Sequence, residues 1–322
     1  MTALSRRQFG RAVLASAPLA FVPRAAGAAV AARVTVGVTT SSFRELPRVP
    51  GQGNVDDVIA ALRAVRATHI ELALANVEPA PPPVAPVMGG SSAYPRRIVL
   101  SPEEVAATNA DARAALRAWR LHESPAAFAD VRRRLTSAGL TVHACAIAYN
   151  DSFTDEELDA TFRQVTALGA TIVSSSLTMA MARRLVPFAE RHRVAIAIHN
   201  QVDGNAGGAI ASAHVDDALA LSPRFMLKLD AGNLTASNGD AVAELRARQA
   251  RVSYVLLKDR LRNNGNSQPF GEGDTPIARL LDALRASTSS IPVMVDYDYI
   301  GLRPAADEVA ASLAYVAKAL ES

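Results

Sequence analysis

The chain has 322 residues, 49% of them hydrophobic and 20% charged, with a formal net charge of +3 and one cysteine, Cys145. This length and apolar share suffice for one large core, and a lone cysteine excludes an intrachain disulfide. The positive balance comes from the first residues, where Arg6, Arg7, Arg11 and Arg24 stand without an acid; residues 29–322 carry a net −1 and no basic stripe interleaved with aromatics, which argues against nucleic acid as a partner.

Ser5-Arg-Arg-Gln-Phe9 is a twin-arginine pattern, followed by an apolar run over 12–22 and the small residues Ala26-Gly27-Ala28. It predicts an export signal over residues 1–28 and a periplasmic or secreted mature chain. An apolar run of about 11 residues falls short of the roughly 20 that span a bilayer, so stable membrane insertion is not expected. The twin-arginine route carries folded proteins, which allows a metal or cofactor to be loaded before export.

Residues 34–38 then read as a first strand. Asn54 is placed to cap a helix whose buried face is Val55, Val58, Ile59, Leu62 and Val65, with Asp57 three residues after the cap. A second strand follows over 69–74. From 75 to 95 the chain carries prolines at 79, 81, 82, 83, 86 and 95 and the pair Gly89-Gly90, which predicts an irregular loop or flap. Ser101-Pro-Glu-Glu104 opens a helix running to about Trp119, so an insertion of about 75–124 follows the second strand. Its position suits a lid, and equally a solvated insert without a role.

Regular alternation resumes with a helix over 125–138, a strand over 141–148, a helix capped by Thr154 with Glu157, a strand over 171–174 and a helix to about Arg191. Two apolar strands, 194–199 and 225–230, end in His199-Asn200 and Asp230-Ala-Gly-Asn233. A helix near 240–249, a strand over 252–257, a turn at Gly271-Glu-Gly-Asp274, a helix capped by Thr275-Pro276, a strand over 291–297 and a helix to Leu320 complete the chain. Eight strands, each followed by a helix, favour an α/β fold of the closed (β/α)8 TIM-barrel kind, one domain over 29–322, above an open doubly wound sheet. Gly51-Gln-Gly53 lacks the third glycine and the preceding strand of a dinucleotide fingerprint.

In such a barrel the strand C-termini form the active face and alternate residues point inward. That parity gathers Glu71, His199, Asp230, Lys258 and Asp296 at one mouth, where ionisable groups of both signs share a desolvated pocket. Asp230, followed by Ala-Gly-Asn, faces exposed backbone amides and suits a ligand or metal. Lys228 lies one layer deeper, as a structural partner for Asp230; Glu71 has Lys258 or Arg260 as an ion-pair partner; His143 is assigned to the core. Asp296 and Asp298 share parity, with Asp296 at the strand end.

The stretches His69-Ile-Glu71-Leu72, Ile198-His199-Asn200, Leu227-Lys-Leu-Asp230-Ala-Gly-Asn233, Leu257-Lys258-Asp259-Arg260, Phe270-Gly-Glu-Gly-Asp274 and Val295-Asp296-Tyr297 resemble, in order, the xylose isomerase-like barrels of the sugar phosphate isomerase/epimerase family. The resemblance implies a divalent metal held by Glu, Asp, His and Glu on strands five to eight, with the two Glu moving protons beside a substrate carbonyl. This sequence departs from that set: His199 stands for the first Glu, Asp230 is kept, Leu256 replaces the His, Asp296 replaces the last Glu, and Asn233 stands where many relatives place a second His.

From the resemblance we expect an exported isomerase- or epimerase-like enzyme acting on a small-molecule carbohydrate. His199, Asp230 and Asp296 would hold Mn, Mg or Zn, His199, Asp296 and Lys258 would carry catalysis, and Glu71, Asn200, Asn233 and Arg260 would bind substrate. Three alternatives stand beside it: Lys258 supplying the positive charge in a metal-free pocket, a sugar-binding barrel without turnover, and a lyase acting on oxidised glycosides.

Overall fold

A computed structural model of the chain describes residues 34–81, 87–91, 94–98, 102–203, 208–287 and 290–321. The export signal expected over 1–28 lies outside the described residues. Eight strands are spaced along the chain: β1 Val36–Thr39, β2 His69–Ala73, β3 Thr141–Ala146, β4 Ile172–Ser175, β5 Ala195–His199, β6 Phe225–Asp230, β7 Val252–Leu257 and β8 Val293–Val295. Each pairs in parallel with its neighbours, and β1 closes the ring between β2 and β8. The expected (β/α)8 barrel is therefore the fold. Among the described residues no helix is long and apolar enough to cross a membrane.

The alternation has a packing cause. Inward positions on β3 and β5 are alanines, Ala144 and Ala197, and they leave room for Tyr254, Leu256 and Met294, which form a small apolar cluster inside the ring. A much larger core lies between the strands and the outer helices, built from outward residues such as Ile196, Ile198, Leu227 and Leu229. On β1 the barrel is tightest: a Cβ on Gly37 would sit 2.5 Å from both the His69 carbonyl oxygen and Met294 Sδ, so only glycine fits there.

Three local expectations are corrected. The proline-rich segment is not wholly irregular: Val87–Ser91 pairs antiparallel with Tyr94–Ile98, with Pro95 opposite Gly90. A two-stranded ribbon has only edges, where a missing N–H is tolerated. Asn54 does precede the helix Val55–Ala64, but its side chain makes no cap and instead accepts from Asn76 Nδ2 at 2.9 Å. Thr275 likewise does not cap Ile277–Ala286; its hydroxyl accepts the Arg260 backbone N–H. The capping box of Thr154 with Glu157 forms as expected.

The helix Pro102–His122 belongs to the insertion and returns to the barrel at its C-terminal turn. Arg120 there is buried and donates to Glu78 at 2.6 Å and to Glu157 at 3.3 Å, over the ring of Phe153. Arg113 and Arg117 bind the same Glu157, so one buried carboxylate ties the insertion to the helix Asp155–Ala167.

Candidate active site

The ends of β5 and β6 meet as the sequence suggests, but mainly on each other. His199 Nε2 lies 2.8 Å from Asp230 Oδ2, and Lys258 Nζ lies 3.0 Å from the same oxygen. Asp230 Oδ1 accepts the backbone N–H of Asn233 at 2.8 Å and so caps the short helix Ala231–Ala236. The amides after Asp230 are thus answered by its own carboxylate. Burial pushes the Asp230 carboxyl up, yet the Lys258 charge and the His199 and Asn233 bonds outweigh it and hold it well below the usual range. Burial and the Lys228 charge hold His199 below its ordinary pKa against the pull of Asp230. With Asp230 ionised, the neutral imidazole donates from Nε2, which leaves Nδ1 as an acceptor 3.3 Å from the Ser176 hydroxyl.

Asn200 and Asn233 bind the chain rather than face the mouth. Asn200 accepts the Asp230 N–H at 2.7 Å and donates to the Asp230 carbonyl and to Ser212, while Asn233 donates to the Asn200 carbonyl and accepts from Arg260. Both are nearly sealed from solvent, with exposures of 2% and 3%. Arg260 gives two further donors to the Gly265 carbonyl. Of these three side chains, expected to hold substrate, Asn200 and Asn233 cross-link the strand ends with their capacity taken by backbone and neighbouring side chains, whereas Arg260, though bonded to Asn233, also lines the third cavity described below.

Glu71 lies inside the ring, not at its mouth. Its carboxylate accepts from Lys228 Nζ at 2.7 and 3.0 Å, from Ser174 at 2.5 Å and from the Tyr254 hydroxyl at 2.5 Å. Burial raises this carboxyl, but the ammonium and the two hydroxyl donors bring it down to about 2. The expected partners are therefore exchanged: Lys228 serves Glu71 and Lys258 serves Asp230. Lys228 is level with Tyr254 in the β6–β7 register and Asp230 with Leu256, so Lys228 reaches across the lower layer while Asp230 belongs to the upper one. His143, assigned to the core, stands edge-on to Tyr254 with a buried Nε2 that has no partner among the described residues.

Asp296 differs from both. It follows β8 and is half-buried, and its carboxylate has no hydrogen-bond donor among the described residues. Burial pushes its pKa up to about 6; Lys258 and Lys228 pull down, Asp298 and Asp230 push up. It lines two adjoining cavities. The inner, of about 400 Å³, also has His199, Lys228 and Arg120 in its wall; the outer, of about 460 Å³, has Arg44 and Asp298. Asp298 continues into a third of about 880 Å³. Asp298 itself is exposed and bonded by Lys258 at 3.1 Å and Ser267 at 3.3 Å.

Of the expected site residues, His199 and Asp296 face the inner cavity, Asp230 and Lys258 stand behind His199, Arg260 lines the third cavity, and Glu71, Asn200 and Asn233 are internal. Two charged residues that line the inner cavity were not expected there: Lys228, read as a structural partner deeper in the barrel, and Arg120. Lys228 shares the inward parity that selects Asp230, a signal available in the sequence; Arg120 arrives from the insertion, outside every barrel strand, and nothing local marks it.

The donor set does not suit a divalent ion. Among the described residues no three His, Cys, Asp or Glu side chains are grouped to hold one. Leu256 has no donor, His199 and Asp230 are turned on each other, and an ammonium already occupies the open side of the Asp230 carboxylate.

Residues 177–319 match a model of the xylose isomerase-like TIM barrel family. No curated protein matches the chain. Among solved structures, an L-ribulose 3-epimerase superposes with a TM-score of 0.58 at 15% identity, covering 89% of this chain and 95% of its own. D-psicose 3-epimerase from Clostridium cellulolyticum H10, solved with D-tagatose, gives 0.58 at 9% identity over 90% and 100%. The probable 3-DHS dehydratase AsbF from Bacillus anthracis gives 0.58 at 10% identity over 88% and 98%. At such identities the likeness is one of fold, and the chemistry has to be argued from the site.

Proposed function

We propose that this barrel is a sugar isomerase- or epimerase-like enzyme that moves a proton on a carbon beside the carbonyl of a sugar or related polyhydroxy compound. The observation that carries the reading is Asp296, a half-buried carboxylate without a donor, placed where two cavities join and across from a neutral histidine. A free lone pair in a desolvated pocket is what a general base requires, and a pKa near neutrality makes proton transfer both ways accessible.

In this reading the Asp296 carboxylate takes the proton from the carbon next to the carbonyl. The C–H electron pair forms the carbon–carbon double bond and the carbonyl pair moves to oxygen, giving an enediolate. His199 Nδ1, held as an acceptor by the Asp230 bond at Nε2, takes up and returns the proton of the neighbouring hydroxyl. Delivery of the first proton to the former carbonyl carbon, with His199 passing the hydroxyl proton to the former carbonyl oxygen, isomerises the substrate. Protonation of the original carbon from its opposite face by solvent, with the hydroxyl proton returned and the Asp296 proton lost to solvent, epimerises it.

The charged groups of the inner cavity favour an uncharged substrate. The charge of Lys228 is balanced by Glu71 and that of Arg120 by Glu78 and Glu157, which leaves no cationic excess for a phosphate. A free or oxidised sugar fits this balance and the export signal expected at the N-terminus. A second reading, elimination from an oxidised glycoside, begins with the same proton abstraction; it draws support from the third cavity beyond Asp298, which extends the cleft past the space one sugar ring needs. Incubation with free ketoses, aldoses and 3-keto-glycosides in D2O tests both. Deuterium at the carbon beside the carbonyl with a changed sugar supports isomerase or epimerase action, release of an aglycone supports elimination, and no exchange with any of them removes the proton-transfer reading.

A further inference from the structure

Two buried carboxylates of the barrel interior, Glu71 on β2 below the mouth and Asp230 on β6 at it, each already have an ammonium. Lys228 Nζ binds both oxygens of Glu71, and Lys258 Nζ binds Asp230 Oδ2 at 3.0 Å and Asp298 Oδ2 at 3.1 Å. Both lysines are 6% exposed, so each charge is paired away from water. Bringing His199, Asp230 and Asp296 around a divalent ion would require Lys258 to leave Asp230. An unpaired ammonium would then sit beside a doubly charged cation in a desolvated pocket, at a Coulombic cost that low dielectric magnifies. The β7 position level with Asp230 is Leu256, which offers hydrocarbon where another ligand would be needed.

We propose that the ammoniums of Lys228 and Lys258 occupy the electrostatic place of a divalent ion, so that this mouth works without a metal. The two have different parts. An ammonium has three donors; Lys228 spends two on Glu71 and lines the inner cavity, leaving one for a substrate oxygen beside Asp296. Placed on that donor, a carbonyl oxygen gains the positive charge that stabilises the enediolate. Lys258 does not line the cavity and is a positioning residue: it fixes Asp230, which fixes the imidazole of His199.

The role of Lys228 rests on the proton-transfer reading, whereas the exclusion of metal does not, and the two fail separately. Full-length protein carrying no polyhistidine tag, purified without chelator, is analysed for metals by plasma mass spectrometry. It is then melted with and without millimolar Mn²⁺, Mg²⁺, Co²⁺ or Zn²⁺, alongside K258A, which frees one Asp230 oxygen. The expected result is a metal content far below one ion per chain, no change in the wild-type Tm with any ion, and a rise in the K258A Tm with Mn²⁺ or Zn²⁺. Saturating binding to the folded state alone raises Tm by several degrees, well above the error of the melt.

A stoichiometric ion in the wild-type protein, or a cation-dependent rise in its Tm reversed by EDTA, overturns the proposal. So does a K258A protein as indifferent to cations as the wild type, because Lys258 would then not be what keeps the ion out. Should K258A fail to fold, the wild-type measurements decide. No sugar enters these assays, so loss of the sugar reading leaves the result on metal standing.

Discussion

Glu71 and Asp296 are both carboxylates on the inward face of the same barrel, and their surroundings drive them in opposite directions. Glu71, deep between β2 and β6, receives an ammonium and two hydroxyls, and its pKa falls to about 2. Asp296, at the upper end of β8, receives no donor and rises to about 6. Burial penalises both anions; the count of donors aimed at each decides the sign. The lower layer has its charge satisfied and is built for rigidity, while the upper layer keeps one carboxylate free at a cost in stability, as functional sites commonly do.

The strongest way to break this contrast is E71Q, which leaves the Lys228 ammonium buried without its counter-charge. We expect a loss of about 3–5 kcal/mol in urea unfolding, with much of it recovered in E71Q/K228M, where the pair is removed as a unit. Equal stability of the single and double variants would show that the pair is not coupled. D296N should act on the other side of the comparison. Its fold should be retained, while solvent deuterium exchange into a substrate falls about 10²- to 10⁴-fold, the usual contribution of a general base. Exchange at the wild-type rate in D296N would assign the proton transfer to another group.

The two carboxylates also predict opposite pH slopes. Glu71 is lowered from 4.5 to about 2, so its contribution is complete above 4.5 and is lost as pH falls from there toward 2. Asp296 is raised from 3.8 to about 6, so the folded state binds the extra proton, and stability falls as pH rises from about 4 to 6. The Asp296 effect is no more than about 2 kcal/mol after allowance for partial solvent access. Unfolding measured across pH 2–7 should show D296N losing the decline between 4 and 6 while keeping the acid loss below 4.5. Activity should follow the base form of Asp296, rising with pH through about 6 and then levelling.

Smaller effects mark the edge of the comparison. R120A removes the insertion's buried contact to Glu78 and Glu157, though Arg113 and Arg117 still neutralise Glu157; a loss of about 2 kcal/mol is expected by urea unfolding. R133A, which breaks only an exposed pair with Asp130, should stay within about 0.5 kcal/mol of the parent. A larger loss in R133A than in R120A would reverse the ranking of buried over surface charge.

Much of the architecture is legible locally. The alternation of apolar strands with capped amphipathic helices identifies the barrel; β6 and β7 begin and end where the sequence puts them, and Thr154 with Glu157 forms its capping box. Inward parity also picks Asp230, His199 and Asp296 for the mouth. What it misjudges are polar residues beside turns: Asn54, Thr275, Asn200 and Asn233 read as caps or ligand contacts, and all four serve backbone or side chains brought from distant segments.

Strand period and helix caps depend on neighbours a few residues away, so the sequence by itself determined the barrel, the inward set and the two lysines on alternate layers. Which lysine neutralises which carboxylate depended on closure of the ring, which sets β2 across from β6 and aligns Lys228 with Tyr254 and Asp230 with Leu256. Partners lie 157 residues apart for Glu71 and Lys228, and Asp296 has no hydrogen-bond donor among the described residues although Lys258 and Lys228 act on it through their charges. Charge pairing is a through-space property, and only the tertiary structure could decide that Glu71 is sealed, Asp230 is spent on its neighbours and Asp296 is free.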